Sequence, residues 1–444
     1  MGAPVRFLIG VCGAIAVGAL PAGCDWREFD TLQNQTPALA IDPPSGFPSS
    51  NDFGSVVVSV APPADGSVAA WFLASATEMT GLGLVKIDAA GGASAQTLSG
   101  SAVDDLDGNP VTAMAEIPGT GTALLGAPTF DSLLTVDLAS QTVSQFIPLS
   151  PLTQSDPLLG VGVAAGKLTG AAMPDLVVAS SSLVHVFVNG LTADIVPGAA
   201  DLAACPITLS TALPNHDRQN RALVVGKLMA SGPAIAIGTP AAAAAGSVSL
   251  FTATATSVTC AGVLTAPALG TLAPAGTPNG GFGQTLAIGD FDGDGVPDLL
   301  VGAPPYAVYM YKGPVAPSAA PTATIAAPPE SANFGASLAA LNSDGKPGDE
   351  ALIGDPGATV NGQTDAGNAT LYTYGGTGTK MFTALAPVLT DHSASTGEAY
   401  GSAVGALSFC AVAPCAAPPS LPLVGAPAKV FTYFTLGPTD PRTK

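Results

Sequence analysis

The sequence predicts an all-β chain: a seven-bladed β-propeller of four-stranded blades, closed by an N-terminal strand that completes the last blade. Three observations predict it. Glycine and proline are dense, 53 and 41 of 444 residues, which leaves little room for long helices and suits short strands joined by turns. An aromatic-Gly start recurs at Phe282-Gly283, Phe334-Gly335 and Tyr400-Gly401, and spacings of 52 and 66 residues belong to propellers. The last unit offers strands over 421–425 and 429–435 and then lacks a fourth. Residues 37–41 read as a strand without a unit, so the two ends are expected to pair.

Composition bounds the rest. Hydrophobic residues make up 47% of the chain, enough apolar surface to exclude disorder as the reason for the glycine and proline content. The net charge of −19 supplies no basic face for nucleic acid or for an anionic membrane surface. It favours solubility and cation binding.

The N-terminus reads as an export signal. Arg6 precedes an apolar run from Phe7 to about Leu20, followed by small residues. A membrane span needs about 20 apolar residues, and this run is shorter and ends at Pro21. Ala22-Gly23-Cys24 resembles a bacterial lipobox, departing from it at Pro21, and the resemblance implies lipidation at Cys24. The expected organisation is a signal over 1–23, a tether over 24–36 and the propeller over 37–444. Four further cysteines in an exported chain suggest two disulfides. The short Cys410–Cys415 loop is the first expected bridge, which leaves Cys205 with Cys260. Zinc is disfavoured by the lack of Cys-x-x-Cys and the wide separation of His185, His216 and His392.

The units follow in order. Phe53-Gly54 begins the first. VTAMAEIPGTGTALLGAP (111–128), VGVAAGKLTGAAMPDLVVAS (161–180) and LVVGKLMASGPAIAIGTP (223–240) supply the next three without the aromatic start. The units begin near 53, 108, 159, 219, 282, 334 and 400. Each pairs an alternating strand, such as 286–289, with a continuous apolar run, such as 299–301, expected to be buried on both faces. Third and fourth strands follow, such as 307–311 and 322–326. The Gly-x-Pro closing the second strand ends pairing, because proline donates no hydrogen bond. Small residues are expected to let strands crowd near the central axis.

The aromatic-Gly start, the Asp-x-Asp-x-Asp-Gly-x-x-Asp loop and the Gly-Ala-Pro end together resemble the FG-GAP repeat of integrin α-subunit propellers, also common in bacterial surface proteins. The likeness is closest in the unit at 282, partial at 334 and 400, and faint elsewhere. It implies a seven-bladed propeller, calcium in the loops, and adhesion or ligand binding, without naming a ligand.

The acidic loop is the one cluster with chemistry in it. Asp290, Asp292 and Asp294 occupy positions one, three and five, Val296 offers a carbonyl at seven, and Asp298 a carboxylate at nine. Calcium takes six to eight hard oxygens, which alternating carboxylates on a tight turn can supply. Position twelve is Val301 and a strand follows, so the loop is not an EF-hand. Catalysis would need carboxylates in differing environments within a pocket, whereas these share one turn. A weaker second site is expected at Asn342, Asp344 and Glu350, where Lys346 replaces the third Asp and can neutralise the loop itself. The unit at 159 keeps only Asp175, with Lys167 at the first position, and the unit at 219 has Lys227. The run from Asp104 to Asn109 reads as a solvated turn, and His185 as a packed or surface residue of an alternating strand.

No nucleophile, metalloprotease or phosphate-binding motif appears in the sequence. The expectation is a non-catalytic, monomeric, calcium-binding module of the cell envelope. It would be attached to the membrane only by its lipid and would recognise a protein or glycan. A carbohydrate-binding propeller is the alternative, weakened by having only Trp26 and Trp71. An extracellular polysaccharide lyase or hydrolase is the third, requiring polar groups that converge in the central channel.

Overall fold

The computed structural model of the chain describes residues 38–433, apart from 48–52, 63–66, 76–80, 100–110, 129–131, 147–157, 191–192, 208–221, 242–243, 274–275, 376–381, 386–387, 392–394 and 411–419. Residues 37–444 form one compact unit. Cys24, Trp26, Asp104 to Asn109, His216, His392 and Cys415 all lie outside the described residues.

Seven sheets of four antiparallel strands make the ring. Their innermost strands are β2 (Val56–Val60), β6 (Ala113–Ile117), β10 (Gly162–Gly166), β14 (Leu223–Met229), β18 (Thr285–Gly289), β22 (Ser337–Leu341) and β26 (Ala403–Ser408). Each lies beside the innermost strands of the two neighbouring blades, and β26 lies beside β2. In six blades the strands follow chain order from the axis outward. The seventh comprises β26, β27 (Ser420–Ala426), β28 (Lys429–Tyr433) and β1 (Ala38–Ile41), with Ala38 opposite Tyr433 and Ile41 opposite Val430. The spare strand therefore completes the unit that lacks one.

The second strands are buried end to end. In β19 (Asp298–Ala303) and β23 (Glu350–Asp355) every residue is buried, as continuous apolar runs require. Both stop just before a proline, Pro304 and Pro356. So do β7 (Thr122–Ala127), β15 (Gly232–Thr239) and β27. The fourth strand of the fifth blade begins at Ala323, not at 322. The Thr322 N–H still reaches the Met310 carbonyl at 2.7 Å, while its hydroxyl accepts the Lys312 N–H.

Among the described residues the core divides into seven apolar clusters, each built from two adjacent blades. One joins blades four and five through Leu228, Leu250, Phe282 and Leu299; another joins the seventh to the first through Ile41, Phe53, Phe72 and Leu423. The aromatic of each start sits in such a cluster. Phe53, Phe282, Phe334 and Tyr400 are all buried, and Phe282 meets Tyr311 edge-on at 6.3 Å between centroids. Blade three uses Leu159 in the same role.

The small residues let the innermost strands crowd, since a Cβ on Gly166 or Gly289 would overlap Val225 or Ala340 of the next blade, and they do a second thing. A Cβ on Gly126, Gly238, Gly354 or Gly425 would overlap the carbonyl oxygen of Gly160, Gly283, Gly401 or Gly54. Each of these pairs joins the second strand of one blade to the start of the next. The last pair, Gly425 with Gly54, joins the ends of the ring. The two glycines of the repeat are thus required where backbones of adjacent blades meet.

Among the described residues one α-helix departs from the all-strand expectation. Residues Ala199–Ala204 form α1 after the third blade, an alanine-rich turn with Asp201 near its N-terminus. Cys205 follows it and is bonded to Cys260 of β17 (Val258–Thr265), with Cα atoms 5.7 Å apart. Asp201 also accepts the Cys260 N–H at 2.9 Å, so helix and strand are joined twice. Cys410 is disulfide-bonded as well; its expected partner Cys415 lies outside the described residues.

Candidate functional site

The acidic run occupies the hairpin from β18 to β19, where Gly289 pairs with Asp298. Gly293 and Gly295 take φ values of 73° and 83°, which only glycine adopts freely. The loop then folds on its own carboxylates. Gly295 N–H donates to Asp290 Oδ2 at 2.8 Å, Asp294 N–H to Asp292 Oδ1 at 3.2 Å, and Val296 N–H to Asp294 Oδ1 at 2.8 Å. One oxygen from each of Asp290, Asp292 and Asp294 lies within 4.8 Å of the others. Asp290 Oδ1 is buried and accepts no hydrogen bond. A buried anionic oxygen without a donor is costly, and a cation is the partner that would satisfy it.

Asp298 stands apart from this group of three. It is fully buried, and its Oδ2 accepts the N–H groups of Phe291 and Asp292 at 3.0 and 3.4 Å. Its Oδ1 accepts Gly313 N–H at 2.8 Å. Burial pushes its pKa up to about 6; the Gly313 N–H opposes the rise and the Asp292 charge adds to it. Blade three shows that this role needs no acidic cluster. There Asp175 accepts Leu168 and Thr169 N–H at 2.9 and 2.8 Å and Asn189 N–H at 2.8 Å. The carboxylate that opens the second strand is therefore a clamp on backbone amides, whatever the loop contains.

Two partners of the loop were not visible in its own sequence. Lys312, just after β20 (Ala307–Tyr311), places its ammonium against Asp292 and 3.0 Å from Asp294 Oδ2. The contact holds Asp294 below the usual carboxylate range and Lys312 above the usual lysine range. The strand register supplies a signal for it: Tyr311 pairs with Leu299, which puts the next residue at the mouth of the loop. Asp349 comes from blade six. Its Oδ2 accepts Asp290 N–H at 2.8 Å, and its own N–H donates to the Asp290 carbonyl at 2.7 Å. Burial raises its pKa.

The loop of blade six is closed internally. Lys346 Nζ lies 2.6 Å from Asp344, Asn342 bonds the Lys346 carbonyl at 2.7 Å, and Glu350 accepts both the N–H and the hydroxyl of Ser343. Asn342, Asp344 and Glu350 are thus each engaged within their own turn. His185 is buried, its Nδ1 3.1 Å from Asp194 Oδ2 and its ring stacked on Phe187. Trp71 is buried too, donating from Nε1 to the Ala61 carbonyl, so it presents no aromatic platform.

On the axis lies a cavity of about 340 Å³ at the end where the innermost strands begin. Val57, Met114, Val163, Leu223, Leu286, Leu338 and Val404 line it, one from each blade. Among the described residues its polar side chains are hydroxyls and one amide, Gln284, and no ionisable residue lines it. Thr285 and Ser337 turn their hydroxyls to Gly335 and Gly401 carbonyls of the next blade, which leaves them structural.

The FG-GAP repeat family matches residues 282–314. The human phosphatidylinositol-glycan-specific phospholipase D is 38% identical over 97 residues, 19% of this chain and 12% of the enzyme. The rat protein of the same description is 34% identical over 108 residues, 22% of this chain and 13% of the enzyme. The chain thus spans a small part of the relatives it matches. Among solved structures, the extracellular domain of the putative one-component system BT4673 from B. thetaiotaomicron aligns over 89% of this chain and 39% of its own, with 10% identity and a TM-score of 0.47. The chain is a seven-bladed β-propeller whose fifth blade carries an FG-GAP repeat.

Proposed function

We infer that this propeller is a non-catalytic binding module whose fifth-blade loop holds calcium. The observation that carries the calcium reading is Asp290 Oδ1, buried without a donor inside a group of three carboxylates. Asp290, Asp292 and Asp294 would supply hard oxygens, with the Val296 carbonyl beside them, and calcium suits such a set. The Lys312 ammonium now against Asp292 and Asp294 would be displaced. Binding is supported over catalysis by the axial cavity, which gathers apolar side chains and no ionisable ones. The phospholipase activity in the names of the relatives belongs to proteins of which this chain matches about an eighth, and no observation here favours it.

The Cys205–Cys260 disulfide favours an oxidising compartment outside the cytoplasm. With the N-terminal signal pattern, it supports a cell-envelope location anchored through Cys24. Cys24→Ser is expected to move the protein from the membrane fraction to the soluble one; retention in the membrane would overturn the anchoring.

Calcium at a hundredfold excess over its dissociation constant contributes about 2.7 kcal/mol of stability. For a ring of this size that is a rise of about 3 °C in melting temperature. Asp290→Asn is expected to abolish the rise. A melting temperature indifferent to calcium and to chelator would overturn the reading.

A further inference from the structure

We propose that Asp349 of blade six is a positioning residue for the calcium loop of blade five, so that calcium there ties the two blades together. This rests on the calcium reading and deepens it, naming a residue outside the repeat that sets the affinity. Asp349 stands outside the converging group of Asp290, Asp292 and Asp294. It acts on the first of them.

Two hydrogen bonds join the pair. Asp349 Oδ2 accepts the Asp290 N–H at 2.8 Å, and the Asp349 N–H donates to the Asp290 carbonyl at 2.7 Å. Both backbone polar groups of Asp290 are therefore held by one residue of the next blade. With the backbone pinned on both sides, the direction of the Asp290 side chain is set before an ion arrives. Such preorganisation lowers the cost of binding, and groups that never touch a metal commonly orient the ligands that do.

The surrounding backbone makes room for the contact. A Cβ on Gly289 would come within 2.9 Å of Asp349 Oδ2, so the missing side chain leaves the carboxylate its place. A Cβ on Gly293, inside the loop, would lie 3.2 Å from the Pro347 carbonyl carbon, and one on Gly348 would lie 3.3 Å from the Phe291 carbonyl oxygen. The metal loop and the hairpin of blade six thus meet backbone against backbone. The main-chain half of the contact recurs at the next seam, where the Ser420 N–H donates to the Asn342 carbonyl at 2.9 Å. Packing of successive blades supplies that bond; Asp349 adds the carboxylate that holds the Asp290 N–H as well. The coupling runs both ways, as linkage requires. An ion that fixes Asp290 also fixes the acceptor of the Asp349 N–H, and its effect reaches blade six.

The test is isothermal titration of the full chain with calcium chloride, paired with hydrogen exchange over residues 342–350 with and without the ion. Asp349→Ala should weaken calcium about three- to tenfold, the loss of one hydrogen bond. Asp349→Asn keeps a carbonyl oxygen for the Asp290 N–H and should restore most of the affinity. Calcium should slow exchange over 342–350 in the unaltered chain, and slow it less in Asp349→Ala. Affinity unchanged in Asp349→Ala would overturn the proposal. An equal loss in Asp349→Asn would do the same, since charge and not the hydrogen bond would then decide. Exchange in blade six indifferent to bound calcium would break the tie between the blades. No saturable binding by the unaltered chain would instead remove the calcium reading itself, so the two failures are told apart.

Discussion

Gly238→Ala is expected to be among the most damaging single substitutions in the chain. Its added methyl would overlap the Gly283 carbonyl, where the second strand of blade four meets the start of blade five. Gly238 is in the buried middle of its sheet, between Ala222 and Val248, and the backbone there cannot be displaced without moving a blade. Overpacking of a core typically costs about 1–3 kcal/mol, and backbone overlap belongs above that range, at about 4 kcal/mol. Gly405→Ala provides the control. Its methyl meets nothing closer than 3.6 Å, in ordinary contact, and its expected effect is within about 0.5 kcal/mol. Denaturant unfolding of both variants decides the matter. Equal effects would show that the glycines do not act through contact between blades.

Loss of the closing strand is expected to have the second large effect. Ile41 is only 4% exposed and belongs to the cluster between the seventh and first blades. Burying such a side chain contributes about 1.5–3 kcal/mol. Strand β1 also covers the outer edge of β28, which would otherwise present unpaired N–H and C=O groups to another chain. Deleting residues 1–41 should therefore lower stability and produce higher-mass species in size-exclusion chromatography, whereas deleting residues 1–36 should not. A peptide of residues 36–43 added in trans should reverse the association. Identical behaviour of the two truncations would remove β1 from the account of closure.

Much of this architecture can be read from the chain because it rests on local patterns. The apolar run Leu299-Leu300-Val301 and its repeats mark strands buried on both faces, and the following prolines mark where each ends. The pairing of residues 38–41 with β28 followed from simple counting of strands. What sequence reading left out was the second use of glycine, between the blades. Gly126 and Gly160 are far apart in any window, and their contact exists only once two blades pack. Helix α1 was missed because AADLAA spans only six residues, too short for a periodic signal.

The candidate site was legible to the same degree and for the same reason. Asp290, Asp292 and Asp294 converge because alternation on a glycine-bearing turn brings them together. Asp298 sits in the same motif, yet its oxygens face the amides of Phe291, Asp292 and Gly313. That distinction depends on which way a buried side chain turns. Asp349 reaches Asp290 from the next blade, and spacing within one repeat carries no trace of such a contact.

The most direct measurement is isothermal titration of the full chain with calcium chloride, alongside Asp290→Asn and Lys312→Met. The account predicts saturable binding that Asp290→Asn abolishes and Lys312→Met strengthens, since the ammonium now stands where the cation would go. No saturable heat in the unaltered chain, or binding that survives Asp290→Asn intact, would contradict a calcium centre in this loop.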